Sequence, residues 1–367
     1  MRTVLKALMS LVLCLSWSLS NVSAAARPER TISPELLEHA KLEMVWQQTL
    51  PVKTGEQFSA VTLLGDRLYL RSDRNYLWSV DREKGRIVFS RSIAPPGIPV
   101  LDLVSYEDDL ISVVGNQLVE YDDNTGKEKR VSDLELSMVA TPVRNSQFFY
   151  IAAGDRRLHV LHADDLVQTF KVAAENESLI TTAAADETMV VFGTAKGDLV
   201  AMMPDVPKRL WRFKAPEAVA GQIIPDNGSF YFASTDTNVY RVDMATPTTA
   251  VMTWKFQCEA VLDRPPRVTQ DFVYQYAGRR GLTAIGKESG RAVWSLRDGV
   301  DLLAEAGNRA YVITRFRTLT VMDNSTGARL YSVNMAPVVN HVANTADARI
   351  YLVDNTGRVL CLQPTER

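Results

Sequence analysis

The sequence predicts an all-β fold, an eight-bladed β-propeller of four-stranded blades, on three observations. First, short strand-like segments of alternating apolar and polar residues recur between polar turns. Second, the recurrence has a period of about forty residues, which is the length of one propeller blade. Third, the final unit lacks a fourth strand, and a strand-like segment near the N-terminus, Met44 to Leu50, is available to complete it. We therefore expect both ends of the chain to meet in one blade, which removes a free sheet edge.

The composition is that of a globular chain. Its 367 residues are 46% hydrophobic and 23% charged, so the chain can bury a large core and is not intrinsically disordered. Lys and Arg total 41 against 43 Asp and Glu, and this balance argues against a nucleic-acid partner. The three cysteines are too few for a disulfide scaffold.

An export signal is predicted for residues 1–26. Arg2 and Lys6 form a positive start, and the twelve-residue apolar run LMSLVLCLSWSL that follows is too short to span a bilayer. Small residues end the segment, so cleavage is expected after Ala24 or Ala26. We accordingly expect a soluble protein in the periplasm or the extracellular space, with no transmembrane helix.

The cysteines predict neither a lipid anchor nor a disulfide. The residue before Cys14 is Leu13, whereas a lipidation motif needs a small residue there, so Cys14 is expected to leave with the signal. Cys258 and Cys361 fall in different repeat units. We expect them to be two separate thiols, buried or half-buried.

A short extension, residues 27–42, precedes the repeats of residues 43–367, which we expect to form a single propeller domain. Within the extension Ser33 is typical of a helix cap and Pro34 of the first helical position, and acidic residues follow them. The helix is expected to end near Lys41 and to pack on the flank of the propeller.

The repeat register can be followed residue by residue. The residue that opens the turn before the outer strand recurs at intervals of 41, 40, 41, 40, 43, 37 and 40, at Asp81, Asp122, His162, Met203, Asp243, Gly286, Asp323 and Gln363. An outer-strand aromatic stands in register in seven of the eight units, at Trp46, Phe89, Phe170, Trp211, Trp254, Trp294 and Tyr331. Only the second unit departs, with Lys129 and Arg130 in place of the aromatic.

These turns and outer strands resemble the repeat of the PQQ-like propeller family, in which an acidic residue, Thr/Ser-Gly-Lys/Arg and an aromatic follow one another. The matching stretches are Asp81–Phe89, Asp122–Lys127, Lys287–Trp294 and Asp323–Tyr331. The chain contains neither a Trp-Asp nor a Gly-His dipeptide, which disfavours the WD40 family. In physical terms the Gly takes the positive-φ position of a tight turn, the Asp bonds the turn backbone, and the aromatic packs between blades.

Two kinds of protein share this repeat. Quinoprotein dehydrogenases bind PQQ and calcium in the central funnel, whereas BamB-like proteins are non-enzymatic scaffolds, and this chain resembles the second kind in size and blade count. The adjacent Cys-Cys pair typical of the enzymes and a C-x-x-C-H haem motif are both missing from the sequence. The segment after Glu177 also lacks the Leu/Arg-rich docking loop of BamB-like proteins. The resemblance therefore implies the fold and a scaffold role, but not a particular partner.

The sequence offers no catalytic constellation. The four histidines are His39, His159, His162 and His341. His159 and His162 lie three apart on one predicted strand and therefore point to opposite sides, so they cannot share a metal ion. No nucleophile elbow, zinc spacing, phosphate loop or calcium loop is present. We expect no catalytic residues, no metal and no cofactor.

The charges of the predicted turns are separated between the two ends of the propeller. The turns between second and third strands lie at one end, here called the basic face, and carry Arg71, Arg74, Arg156, Arg157, Lys196, Arg279, Arg280, Arg315, Arg317 and Arg358. They also carry four acids: Asp73, Asp155, Asp236 and Asp354. The turns between third and fourth strands lie at the other end, here called the acidic face, and carry Asp81, Glu83, Asp122, Asp123, Asp164, Asp165, Asp205, Asp243, Glu288 and Asp323.

The basic face is the candidate partner-binding surface, because arginine binds carboxylate and phosphate groups through two hydrogen bonds at once. Acids in the connections from one blade to the next share this face and offset part of its charge: Asp133, Glu175, Glu177, Glu217, Glu259, Asp298 and Asp301. The sequence thus predicts an exported monomeric scaffold that binds a protein or an anionic cell-envelope component. Two alternatives stay open, a quinoprotein-like oxidoreductase that uses PQQ and a sensor of a small ligand or sugar in the central channel.

Overall fold

The architecture is an eight-bladed β-propeller, as the repeat predicts. The computed structural model describes residues 31–365, and there 32 strands form eight four-stranded sheets in which all neighbouring strands are antiparallel. We name the strands of a blade a to d from the central channel outward. The predicted signal segment, including Cys14, lies outside the described residues.

The helix α1 spans Pro34–His39, and the strands follow it in chain order. The first part of the chain holds β1 (Leu42–Thr49), β2 (Phe58–Leu64), β3 (Arg67–Ser72), β4 (Tyr76–Asp81), β5 (Ile87–Ser92), β6 (Val104–Tyr106), β7 (Asp109–Val114), β8 (Gln117–Asp122) and β9 (Glu128–Asp133). The middle part holds β10 (Val143–Arg144), β11 (Phe148–Ala152), β12 (Arg157–His162), β13 (Gln168–Ala173), β14 (Ile180–Ala185), β15 (Val190–Thr194), β16 (Asp198–Met202), β17 (Arg209–Lys214), β18 (Val219–Asp226), β19 (Ser229–Ser234), β20 (Asn238–Thr246) and β21 (Thr249–Gln257). The last part holds β22 (Arg267–Val268), β23 (Phe272–Tyr276), β24 (Leu282–Gly286), β25 (Ala292–Leu296), β26 (Gly299–Ala306), β27 (Arg309–Thr314), β28 (Thr318–Asp323), β29 (Arg329–Asn334), β30 (Val338–Val342), β31 (Ile350–Asp354) and β32 (Arg358–Pro364).

Blades 1 to 7 each take four consecutive strands, starting from β2, and blade 8 is composite. Its sheet has the order β1-β32-β31-β30, so the N-terminal strand is the outer strand of the C-terminal blade. Strand β1 runs antiparallel to β32 from the pair Leu42 and Pro364 to the pair Thr49 and Arg358. The predicted closure by the N-terminal strand is therefore confirmed.

The helix α1 begins where its cap signal predicts. The side chain of Ser33 accepts a hydrogen bond from the backbone nitrogen of Leu36 at 3.3 Å, and Pro34 opens the helix. Leu37 is buried in the same apolar cluster as Val333 and Met335 at the end of blade 7. The helix thus covers the outer end of the last complete blade.

Aromatic residues occupy one register position in the outer strands. Strand d of seven blades places its aromatic opposite the same position of strand c, in the pairs Trp46–Cys361, Phe89–Ser79, Phe170–Val160, Trp211–Ala201, Trp254–Arg241, Trp294–Ala284 and Tyr331–Val321. The residue of strand b in the same row is a fully buried tyrosine in six blades, at Tyr69, Tyr150, Tyr231, Tyr274, Tyr311 and Tyr351. The predicted aromatic register is confirmed, and six blades carry a radial row with an outer aromatic and an inner tyrosine.

In several blades the outer-strand aromatic packs onto the c–d turn of the next blade. A Cβ built on Gly85 would lie 2.5 Å from the Trp46 ring, and one built on Gly126 would lie 2.4 Å from the Phe89 ring. These glycines have φ near 70°, the left-handed conformation that the turn needs. The indole nitrogen of Trp46 donates to the carbonyl oxygen of Arg82 at 3.0 Å, which fixes the ring on the turn. The aromatic and the glycine therefore form one inter-blade joint.

The joint between blades 2 and 3 is different. Arg130 occupies the aromatic register position, opposite Glu120, and its guanidinium donates to the carbonyl oxygens of Ala163 and Asp164 in the next c–d turn, both at 2.7 Å. Glu120 is buried and pairs with Arg130 on strand d. Arginine thus replaces tryptophan as the hydrogen-bond donor to the turn.

We predict that Gly126→Ala destabilises the protein more than Gly65→Ala. Both glycines have positive φ, 67° and 54°, so both substitutions carry a backbone cost of about 1 kcal/mol. At Gly126 the new methyl group also collides with the Phe89 ring, and such overpacking costs about 1–3 kcal/mol more. At Gly65 no atom lies within 4 Å of the new Cβ. Urea unfolding of both variants measures the difference, and equal midpoints would contradict the proposed joint.

Candidate functional site

Backbone hydrogen bonds hold several b–c turns of the basic face to the connections that precede them. Asp73 donates to Gln57 at 2.8 Å, Gly154 to Ser137 at 2.8 Å, and Arg315 to Asp298 at 2.9 Å, in each case from backbone nitrogen to backbone oxygen. The turns therefore stand on fixed supports, and their side chains project from a rigid surface.

Six of the ten predicted cations are bonded within the chain. Arg71, Lys196 and Arg317 donate to the carbonyl oxygens of Val100, Asn176 and Ala336 at 2.7, 2.9 and 3.2 Å. Arg157, Arg280 and Arg358 pair with Asp155, Glu259 and Asp354 at 3.8, 2.8 and 3.7 Å. Burial lowers the pKa of Arg71 below its usual value. These six side chains therefore have a structural role whether or not they also bind a partner.

The other four cations are Arg74, Arg156, Arg279 and Arg315. All four are exposed, and within residues 31–365 their guanidinium groups form no hydrogen bond or ion pair. Arg315 stacks over the ring of Phe316, with its guanidinium carbon 4.9 Å from the ring centroid. These arginines have donors to spare for a partner.

A groove on the basic face brings two of the predicted residues together with one that the sequence did not single out. It has a volume of about 630 Å³ and lies beside strand β21 of blade 5 and strands β24 and β25 of blade 6. Arg279, Arg280 and Arg297 line it, with Glu259. Arg297 follows the outer strand of blade 6 instead of lying in a b–c turn, so the turn pattern did not reveal it.

On the acidic face, Asp122 and Asp323 are bonded to the c–d turns that they open. Asp122 accepts hydrogen bonds from the side chain and backbone of Thr125, at 2.7 and 2.8 Å, and these bonds lower the pKa of Asp122. Hydrogen bonds from Ser325 and Thr326 lower the pKa of Asp323 to about 2. The pattern is the one expected of Asp at the start of a tight turn, so these two acids have a structural explanation.

The histidines occupy separate environments. His159 is buried and lies within 3.0 Å of both Gln168 and Asp155, whereas His162 on the same strand is exposed. In the part of the chain that the structure describes, no group of three or more His, Cys, Asp or Glu side chains is placed to hold a metal ion.

Cys258 and Cys361 are free, buried thiols, as predicted. Burial raises the pKa of each to about 12. Cys361 lies in the radial row of blade 8, beneath Trp46. Both side chains therefore act as small apolar packing residues.

A polar cluster links the innermost strands of blades 6, 7 and 8. Arg267 on β22 donates from Nε and Nη2 to the two carboxylate oxygens of Asp301 on β26, at 3.0 and 2.9 Å. His341 on β30 places Nε2 3.5 Å from the same carboxylate. Burial alone would raise the pKa of Asp301, but the hydrogen bonds from His341 and Arg267 outweigh it and lower the pKa to about 2. The repeat pattern did not reveal this cluster, because its three members take different positions in their strands.

Between Thr31 and Thr365, none of the helices has the length and apolar character needed to cross a bilayer.

Comparison with known proteins identifies one matching family model, described as outer membrane protein assembly factor BamB. It matches residues 91–218 and 206–304, which together span more than half of the 367-residue chain. A search of curated protein sequences finds no match.

Solved structures match over most of the chain. The crystal structure of BamB from Moraxella catarrhalis is 15% identical and covers 89% of this chain and 98% of that chain, with a TM-score of 0.66. The crystal structure of the computationally designed Ika8 protein is 13% identical and covers 86% of this chain and 98% of that chain, with a TM-score of 0.65. At these identities the likeness concerns the fold.

We predict that Asp301→Asn lowers stability at neutral pH and that its effect disappears in acid. The folded pKa of Asp301, about 2, lies below its unfolded value of 3.8, so its ion pair stabilises the protein above pH 3.8 and is lost as the pH falls towards 2. A shift of this size corresponds to about 2 kcal/mol at pH 7. Urea unfolding of wild type and variant at several pH values measures the difference. The exposed Asp164→Asn serves as the control, and a pH-independent loss in Asp301→Asn would contradict the assignment.

Proposed function

This chain belongs to the family described as outer membrane protein assembly factor BamB, and from that premise we propose that it is an exported, non-enzymatic scaffold. It docks a protein, or an anionic component of the cell envelope, on its basic face. The observation that carries the proposal is the set of four exposed arginines, Arg74, Arg156, Arg279 and Arg315, whose guanidinium groups form no hydrogen bond or ion pair among residues 31–365. Donors that the fold does not use are available for recognition.

The closed ring suits this role. Several b–c turns, among them the turn that carries Arg315, are bonded to the connections before them, so a partner meets a surface that is already largely ordered. Binding therefore loses little conformational entropy on this side of the interface. Arginine is enriched in the energetically important part of protein interfaces, because its planar group forms several hydrogen bonds and also stacks on rings.

Export is part of the proposal. Its support is the N-terminal segment, with Arg2 and Lys6 before an apolar run and small residues at its end. We predict that the full chain, expressed in a bacterium with an outer membrane, is recovered from the periplasmic fraction with a mature N-terminus at Ala25 or Arg27. Intact mass and N-terminal sequencing measure this. A cytoplasmic chain that keeps Met1, or a mature chain that begins at a lipidated Cys14, would contradict it.

The docking surface is tested by a pull-down from envelope extract with two baits. One bait is the wild-type protein, and in the other Arg156, Arg157, Arg279, Arg280, Arg315 and Arg317 are changed to Ser. We expect a partner that the first bait captures and the second loses, because the substitutions remove most of the positive charge of the face. Equal capture by both baits would overturn the proposed surface.

A charge-matched third bait separates position from net charge. It carries Ser at six exposed cations elsewhere on the propeller: Lys84, Arg86, Lys127, Lys208, Lys255 and Arg291. We expect this bait to capture the partner as the wild type does. Loss of capture by the second and third baits alike would indicate attraction by overall charge. Oxidoreductase activity that depends on added PQQ and calcium would replace the scaffold role by the enzyme alternative.

A further inference from the structure

The groove beside blades 5 and 6 concentrates the unbonded charge of the basic face. Arg279 and Arg297 are exposed, and within residues 31–365 their guanidinium groups form no hydrogen bond or ion pair. Arg280 pairs with Glu259 at 2.8 Å, and both side chains remain more than 60% exposed. Three arginines and one glutamate leave the groove with an excess of positive charge.

The wall of the groove also offers hydroxyl groups. Thr283 on β24 and Ser295 on β25 lie opposite each other, with their oxygens 2.9 Å apart. Both line the groove with the arginines. A ligand in the groove therefore meets cations together with neutral hydrogen-bonding groups.

Two exposed apolar side chains flank these cations along the chain. Val261 is 66% exposed and lies two residues after Glu259, and Phe316 is 65% exposed and follows Arg315. They are the two most exposed large hydrophobic residues among those the structure describes. The backbone nitrogen of Arg315 donates to the carbonyl oxygen of Asp298, the residue after Arg297, so the turn that carries Phe316 is attached to the segment that carries Arg297.

We propose that this groove binds an acidic peptide segment of a partner protein, one in which several carboxylates are accompanied by large apolar side chains. The inference rests on the proposed docking function and assigns it a place and a partner chemistry. Arg279 and Arg297 hold the carboxylates, since each guanidinium can bind one through two hydrogen bonds. Val261 and Phe316 contact the apolar side chains of the peptide. These contacts add affinity, because they remove apolar surface from water without desolvating a charged group. An anionic polysaccharide or polyphosphate would use the cations and leave both apolar residues uncovered.

A defined peptide tests this assignment. The probe is the fluorescein-labelled peptide Glu-Phe-Glu-Ser-Glu-Leu-Glu-Gly. The control peptide has Gln in place of every Glu. Binding of each peptide to the purified protein is measured by fluorescence anisotropy at low and at physiological ionic strength. We expect the Glu peptide to bind more tightly than the Gln peptide, by about tenfold or more, with a difference that shrinks as salt rises. Equal binding of the two peptides, or no binding of either, overturns the proposal.

Matched variants locate the binding. Arg279→Ser with Arg297→Ser should weaken the Glu peptide about tenfold or more, and Phe316→Ser should weaken it about threefold or more. The control variant combines Arg74→Ser with Arg156→Ser, which removes two equally unbonded arginines from blades 1 and 3, and it should bind as the wild type does. Equal weakening by the control would mean attraction by the whole face, which overturns the groove but leaves the proposed docking function intact.

Charge reversal guards against a folding artefact. Arg279→Glu with Arg297→Glu should transfer preference to a peptide with Lys in place of Glu, a gain that a misfolded variant does not produce. Polyphosphate is titrated as a competitor. If it binds the wild type and the Phe316→Ser variant equally and more tightly than the peptide, the occupant is an anionic polymer and the peptide assignment falls.

Discussion

The packing of each blade against the next is the interaction on which the rest of the propeller depends, and at Gly85, Gly126 and Gly290 it takes the form of an outer-strand aromatic ring on the glycine of the next c–d turn. Sheets in this fold pair strands only within a blade, so the ring exists because adjacent blades pack. A large ring on a residue without a side chain buries much apolar area at a close approach. The same contact closes the propeller ring. Trp46 on the N-terminal strand packs against Gly85, and this contact joins blade 8 to blade 1.

At the joint between blades 2 and 3 both halves of this contact are different. The c–d turn of blade 3 has Leu166 at a φ of 57°, where the turns of blades 1 and 2 have glycine. A Cβ at those glycines would overlap the neighbouring ring. A flat aromatic therefore has no place over Leu166, and Arg130 reaches the turn carbonyls instead. The buried Glu120 balances its charge, as a buried cation requires.

The fold could be predicted because its determinants repeat. The forty-residue period, the turn Asp and the outer aromatic recur often enough to reveal eight blades and the closure by β1. The site could be predicted only in part, because whether an arginine is bonded depends on carbonyl groups distant in sequence, as with Arg71 and Val100. Arg297 was missed because it lies outside the b–c turns. The ion pair of Arg267 and Asp301 was missed because it joins two strands without any repeated motif.

The charge separation between the two faces has different causes at each end. Aspartate opens a c–d turn because its carboxylate accepts the turn's backbone N–H groups, and Asp155 and Asp354 do the same in b–c turns of the basic face. The fold itself therefore accounts for these acids. It does not account for Arg279 or Arg315, whose guanidinium groups bond nothing within residues 31–365. An exposed cation that the fold does not need is the kind of residue that recognition uses, and for that reason the basic face is the end of the propeller at which a partner is sought.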